Sequence, residues 1–249
     1  MDIKGTVAII TGAARGIGQA TAVALAGEGA EIVVLADIKE KELEESARLV
    51  EAEGAKAVKS LTDVGDIESL RRLFADIEAR FGRLDILHNN AGLGEGYPDW
   101  PDVAPERSVA IIDVNLRGVI LGTQLALELM RKSGGGVIVN TASGGAFVPL
   151  PPQAVYVATK AGVVHFTRSC APLHESHGVR VNCVCPGLVD TDMVRESGDD
   201  EIAVWLKPMA NSVQLLEPED IANAVLDLVR DESKVAQVVS VDNRALVNG

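Results

Sequence analysis

The stretch Thr6-Val7-Ala8-Ile9-Ile10-Thr11-Gly12-Ala13-Ala14-Arg15-Gly16-Ile17-Gly18 decides the reading of this chain. Its first six residues are apolar or β-branched, as in a strand covered on both faces. Three glycines follow at 12, 16 and 18, and a helical segment continues to Glu28. Glycine admits positive φ and lets a pyrophosphate approach the backbone. A helix N-terminus adds free N–H groups and the positive end of its dipole. Strand, glycine turn and helix in that order read as a dinucleotide cradle. The spacing departs from Gly-x-Gly-x-x-Gly, so a merely tight turn is the alternative.

The alternation begun there continues. Thr6–Thr11, Glu31–Ala36, Ala55–Leu61, Leu84–His88, Gly136–Thr141, Val179–Val184 and Val235–Val241 read as seven strands. Gly16–Glu28, Glu40–Glu53, Ile67–Phe81, Ala104–Lys132, Gln153–His174 and Pro218–Arg230 read as helices. Such alternation implies right-handed crossovers, hence an α/β fold: a Rossmann-type doubly wound parallel seven-stranded sheet with helices on both faces. No linker, repeat or low-complexity tract interrupts it, so residues 1–249 read as a single domain. The least regular stretches, Leu93–Pro105 and Leu188–Glu217, both follow strands. They belong at the carboxyl edge of the sheet, where such folds bind ligands. Segment 188–217 is the expected substrate loop.

Composition narrows the partners. The 249 residues carry a formal net charge of −13, which opposes binding to nucleic acid or to an anionic membrane surface. Aromatics are 3% of residues, too few for base-stacking platforms. No secretory leader and no apolar run of membrane-spanning length is read, so a cytoplasmic protein is expected. Cys170, Cys183 and Cys185 fit neither a zinc site nor a Cys-x-x-Cys motif and read as reduced core thiols. His88, His165, His174 and His177 lack metal-ligand spacing, so no metal is expected.

Strand two ends at Asp37. A carboxylate there accepts hydrogen bonds from adenosine ribose hydroxyls and repels a 2′-phosphate, which favours NAD over NADP. Arg15 and Lys39 are the opposing signal, since either can pair with a phosphate. Further on, Tyr156 and Lys160 stand one helical turn apart on one face. An ammonium beside a phenol favours the phenolate and makes a general acid or base. Many helices place such a pair by chance, so its neighbours must decide.

Those neighbours resemble the short-chain dehydrogenase/reductase family, in its roughly 250-residue form. The resemblance rests on Thr11, Gly12, Gly16 and Gly18, on Asp63-Val64, and on Asn89-Asn90-Ala91-Gly92. Asn115, Ser143, Tyr156-x-x-x-Lys160 and Pro186-Gly187-x-x-x-Thr191 complete it. It implies hydride transfer between a nicotinamide and a carbinol or carbonyl carbon, with Asn115, Ser143, Tyr156 and Lys160 as the catalytic set. Tyr156 exchanges the proton, which requires its pKa to fall from about 10 towards 7, or about 4 kcal/mol of differential stabilisation. Lys160 assists it and binds the nicotinamide ribose. Ser143 holds the substrate oxygen, and Asn115 binds a water that relays protons from Lys160. The implied cofactor residues are Gly12, Arg15, Gly16, Ile17, Gly18, Asp37, Asp63, Val64, Asn90, Ala91, Gly92, Tyr156, Lys160, Pro186, Gly187, Val189 and Thr191. Thr191 and the backbone near Val189 orient the carboxamide. Val241-Asp242-Asn243-Arg244 departs from the family's Asp-Gly-Gly ending.

Leu93, Val148, Pro149, Leu150, Leu188, Met193, Val194, Trp205 and Met209 are the expected pocket wall, and they suggest an apolar secondary alcohol or ketone: a lipid, steroid or terpenoid. Gln153-Ala154-Val155-Tyr156, Phe166-Thr167-Arg168-Ser169 and Cys185-Pro186-Gly187 resemble the hydroxyprostaglandin dehydrogenase branch, in which the glutamine matching Gln153 orients the substrate hydroxyl. An NADPH-dependent ketone or 3-oxoacyl thioester reductase and a non-catalytic NAD-binding scaffold are the alternatives. The family's habit implies a homotetramer or dimer through Ala104–Lys132 and Gln153–His174.

Overall fold

The computed structural model describes residues 1–195, 197–198 and 201–246. In chain order the first half comprises β1 (Val7–Thr11), α1 (Gly16–Gly27), β2 (Ile32–Asp37), α2 (Glu40–Ala52), β3 (Lys56–Leu61), α3 (Ile67–Phe81) and β4 (Ile86–Asn89). Next come α4 (Pro105–Ile112), α5 (Gly118–Lys132), β5 (Gly136–Thr141), α6 (Ala154–Ser169), α7 (Leu173–His177) and β6 (Val179–Pro186). The last part holds α8 (Asp192–Arg195), α9 (Lys207–Ala210), β7 (Val213–Gln214), α10 (Pro218–Arg230), β8 (Val238–Val241) and β9 (Arg244–Ala245).

Seven strands form one parallel sheet in the order β3-β2-β1-β4-β5-β6-β8. Because strand side chains alternate between faces, β1 feeds two cores. Ala8 and Ile10 join Leu25 of α1, Leu43 of α2 and Val225 of α10. Val7 and Ile9 join Leu73 and Phe74 of α3 and Met130 of α5. Apolar residues at the first four β1 positions are therefore required on both faces, and all five positions are buried. The chain order reverses direction between β1 and β4, the switch point where such sheets form a ligand crevice.

All seven expected strands and all six expected helical regions are present, with three refinements. Segment 104–132 is one helical run from Pro105 to Lys132 interrupted by a π turn, Asp113–Arg117. This run is long and apolar enough, by length and composition, to cross a membrane, which corrects the expectation that no such stretch exists. Its inner face carries Ile111, Asn115, Val119, Thr123 and Met130, all buried within the fold. Segment 153–174 ends as α6 at Ser169, because Pro172 cannot continue the ladder, and restarts as α7. Finally, β7 and β9 form an unforeseen antiparallel pair beside the main sheet.

The glycine turn is constrained by backbone contact. Gly12 has φ of 65°, and a Cβ on it would lie 2.8 Å from the Cα of Ala91. A Cβ on Gly18 would collide with the carbonyl group of Gly12. Gly18→Ala is therefore expected to destabilise the fold by about 3 kcal/mol or more, measured by chemical denaturation.

Candidate active site

Two turns meet at the switch point, and Thr11 locks them. Its hydroxyl accepts from the backbone N–H groups of Asn90 (2.9 Å) and Ala91 (3.1 Å). Asn90 returns its amide to the carbonyls of Thr11 (3.1 Å) and Gly12 (3.3 Å). Across the groove a Cβ on Gly16 would lie 3.2 Å from Cγ2 of Thr191. Arg15 ion-pairs with Asp192 beside it. Arg15, the N-cap residue of α1, provides no side-chain cap. The groove thus has glycine walls and an uncapped helix N-terminus, which fits a pyrophosphate.

Asp37 is held at one end of this groove. Its carboxylate accepts from Ala14 N (3.0 Å) and Lys39 N (3.0 Å), one on each oxygen, so each oxygen keeps acceptor capacity for a ribose hydroxyl. The two opposing cations face acids. Arg15 is paired with Asp192, and Lys39 Nζ lies 4.0 Å from Glu42. Asp63 is exposed and accepts from Gly65 N (2.8 Å), while a Cβ on Gly118 would approach the Val64 carbonyl to 2.9 Å. Ile17 packs partly into the core. Pro186 ends β6, Val189 is buried, and Thr191 Oγ1 donates to Val189 O (3.4 Å).

Ser143, Tyr156 and Lys160 stand at the other end. Lys160 is buried on α6, donates to the Thr141 carbonyl (2.8 Å) and has its ammonium 5.7 Å from the Tyr156 ring centre. Ser143 follows β5, where its Oγ accepts from Gly145 N (3.1 Å), and its hydroxyl favours the ionised form of the Tyr156 phenol. Gly92 joins this group to Asn115: a Cβ on it would lie 3.5 Å from Lys160 Nζ and 3.6 Å from Asn115 Oδ1. Asn115, in the π turn, accepts from Leu93 N (2.7 Å) and donates to Leu93 O (2.8 Å) and Thr159 Oγ1 (3.3 Å). Both of its amide protons are thus engaged. The side chain pins the loop after β4, and Oδ1 keeps one acceptor site beyond its bond to Leu93 N.

Electrostatics revise the expected phenol. In this cofactor-free chain the Tyr156 pKa is raised above 10, chiefly by burial; the Ser143 hydroxyl opposes this, and negative charge on Glu95 and Cys185 adds to it. The expected lowering by Lys160 does not prevail, because both groups are desolvated together. Burial also lowers Lys160 to about 8, so it still carries most of its charge at neutral pH. His88 is buried, hydrogen-bonds Thr141 Oγ1 (2.8 Å) and is pushed down to about 3 by burial and the Lys160 charge, which makes it a neutral structural residue. No group of His, Cys, Asp and Glu among the described residues is arranged for a metal, and the three cysteines are free and buried.

Sequence reading missed two residues. Glu95 is buried at the start of α6, where its Oε1 accepts from Val155 N (2.8 Å) and Tyr156 N (3.0 Å). Gln153, expected to orient substrate, is also buried, and its Oε1 accepts from Glu95 N (3.2 Å). A lone charge in Leu93-Gly94-Glu95-Gly96 was the available signal, but its partners lie about 60 positions away. Asn243 is the second. It accepts from Leu188 N (2.7 Å) and donates to Leu188 O (2.7 Å) and Gln214 O (2.9 Å). The departure from Asp-Gly-Gly thus ties together both ends of segment 188–217, of which residues 196, 199 and 200 lie outside the described residues. The expected pocket wall divides. Val194 and Trp205 pack with Leu188 and Leu206 into the loop's own small core, whereas Val148, Met193 and Met209 are exposed.

Lys160 has a stability consequence. Its folded pKa, about 8, lies below the usual lysine value of 10.5. The folded state therefore binds its proton more weakly, and stability rises with pH between about 8 and 10.5. Below that window the buried ammonium costs about 3 kcal/mol. Lys160→Met is expected to raise the thermal unfolding midpoint at pH 7, with the gain shrinking as pH rises from about 8 to 10.5, measured calorimetrically without cofactor.

Comparison with known proteins agrees with this geometry. The family model described as short chain dehydrogenase matches residues 6–202. A mouse (Mus musculus) 15-hydroxyprostaglandin dehydrogenase [NAD(+)] is 36% identical over 246 residues, spanning 94% of this chain and 88% of the relative. A 3-oxoacyl-[acyl-carrier-protein] reductase of Thermotoga maritima is 32% identical over 258 residues, spanning 99% and 100%. The crystal structure of carveol dehydrogenase from Mycobacterium avium in complex with NAD superposes with a TM-score of 0.85 at 33% identity, covering 97% of each chain. With the switch-point groove and the Ser143, Tyr156 and Lys160 cluster in one crevice, the chain belongs to the short-chain dehydrogenase family of oxidoreductases.

Proposed function

We propose that this protein is an NAD-dependent dehydrogenase that oxidises an apolar secondary alcohol, lipid-, steroid- or terpenoid-like, to its ketone. The observation that carries the cofactor choice is Asp37, a carboxylate fixed by two backbone N–H groups at the ribose end of the groove. The pairing of Arg15 and Lys39 with acids supports it, since neither is left to attract a 2′-phosphate. Relatives named for NAD, a hydroxyprostaglandin and carveol point the same way. The exposed apolar side chains Phe147, Val148, Met193 and Met209 support an apolar substrate.

Bound oxidised nicotinamide supplies the hydride acceptor and a positive charge. Gly12, Arg15, Gly16, Ile17 and Gly18 hold the pyrophosphate side, and Asp37 the adenosine ribose. Asp63 and Val64 flank the adenine. Asn90, Ala91, Gly92, Pro186, Gly187, Val189 and Thr191 line the nicotinamide end. Lys160 and Tyr156 bind its ribose. Tyr156 takes the alcohol proton, and Ser143 fixes the substrate oxygen by hydrogen bonding. Because burial keeps the phenol protonated in the free protein, Tyr156 becomes a base only when positive charge gathers beside it. Asn115 and Gln153 act by holding the loops that shape the site.

A ketone or 3-oxoacyl thioester reductase is the second reading, favoured by the 3-oxoacyl reductase relative. A homodimer or homotetramer in the cytoplasm is part of the proposal, with Val109 and Ile112 exposed on the outer face of α4 as its apolar contact. Light scattering at micromolar concentration is expected to show an assembly larger than the 26.2 kDa chain.

Steady-state assays test the enzyme reading. Turnover is expected with NAD and apolar secondary alcohols, whereas turnover only with NADPH and ketones favours the reductase. Tyr156→Phe is expected to lower kcat by roughly three orders of magnitude or more with little change in NAD affinity. Asp37→Ala is expected to erode the NAD over NADP preference in kcat/KM by about tenfold or more. An unchanged ratio refutes the role given to Asp37.

A further inference from the structure

Among the described residues, Glu95 is the one buried carboxylate that touches the helix bearing Tyr156. It is 2% exposed, in a loop otherwise made of glycine and apolar residues. Oε1 accepts from the first-turn N–H groups of Val155 and Tyr156, where a helix favours negative charge. Oε2 is buried without a hydrogen-bond partner among the described residues. Gln153 closes the contact from the other side by accepting from Glu95 N. A neutral cap would satisfy the same two N–H groups without burying a charge, so a carboxylate here calls for a reason beyond capping.

We propose that Glu95 is a positioning residue of this active site: its carboxylate fixes the first turn of α6 and sets a negative charge beside Tyr156. The inference rests on the reading of Tyr156 as the proton-transfer group. The contact with Tyr156 N brings the Glu95 charge to the residue that carries the phenol, and that charge opposes ionisation of the phenol. The phenol is then neutral in the free protein and ionises when cofactor charge arrives. The other titratable or charged groups around it are Lys160 on the same helix and Cys185 from β6, with the Ser143 hydroxyl favouring its ionised form. Beside Glu95, Arg107 of α4 donates to the Gly94 carbonyl (3.0 and 2.6 Å). A negative charge near a phenol opposes its ionisation, so removing the charge lowers the pH at which the phenolate appears.

The chain has two tyrosines, so this can be read directly. Tyr97 is 69% exposed, and Tyr97→Phe leaves Tyr156 as the sole phenolate absorber. Ultraviolet titration of the cofactor-free Tyr97→Phe protein, with and without Glu95→Gln, requires neither NAD nor substrate. The phenolate of the Glu95→Gln protein is expected at lower pH, with thermal melts showing that both proteins remain folded across the range. The alcohol oxidation profile of kcat/KM is expected to shift in the same direction. An unchanged titration in folded Glu95→Gln protein overturns the proposal and leaves Glu95 a helix cap. Loss of turnover in Tyr156→Phe is a separate result, so failure of the enzyme reading is distinguishable. Glu95→Thr, neutral and able to cap, serves if the glutamine variant does not fold, with the same two outcomes. Rapid hydrogen exchange at the Val155 and Tyr156 amides of the unsubstituted protein also overturns the proposal.

Discussion

The lock between Thr11 and the Asn90-Ala91 turn organises this molecule. One hydroxyl accepts two backbone N–H groups from the neighbouring strand's end, and Asn90 returns its amide to the first strand's carbonyls. No Cβ fits between Gly12 and Ala91 at that distance. The glycine-walled groove and the Ser143, Tyr156 and Lys160 side chains therefore open from a single rigid seam at the switch point. A buried polar chain extends the seam: Asn89 donates to Asn140 Oδ1 (2.9 Å), and Asn140 donates to Thr167 on α6 (3.0 Å). Through it the strand ends are connected to the helix that carries Tyr156 and Lys160. Buried networks of this kind are stable only when fully satisfied.

Against that rigid frame the site keeps unfavourable charge. Lys160 is desolvated to a depressed pKa, Tyr156 is held protonated, and Glu95 is buried with one oxygen unpartnered. The buried Lys160 ammonium and the unpartnered Glu95 oxygen each destabilise the free protein, and a cationic group in the crevice would favour the Glu95 carboxylate and a Tyr156 phenolate while opposing the Lys160 ammonium. That pattern is expected where binding, rather than folding, completes the electrostatics.

Much of this was legible in the chain itself. Continuous apolar runs such as Val7–Ile10 announced strands, because a sheet covered on both faces needs apolar residues throughout. Glycine at 12, 16 and 18 announced a turn with no room for side chains. Spacing brought Tyr156 and Lys160 to one helical face. Glu95 and Asn243 were not legible. Their partners are main-chain groups, which every residue carries, so no side-chain pattern marks them. The pKa of Tyr156 was misread because proximity to Lys160 is visible in sequence, whereas shared burial is not.

Local geometry thus determined the strands, the helices, the glycine turn and the family, since each depends on residues within a few positions of one another. Only the tertiary structure decided which charges are desolvated, which loop each asparagine pins and what stands beside Tyr156. Those depend on the packing of segments far apart in the chain, and desolvation is a property of the whole surrounding volume.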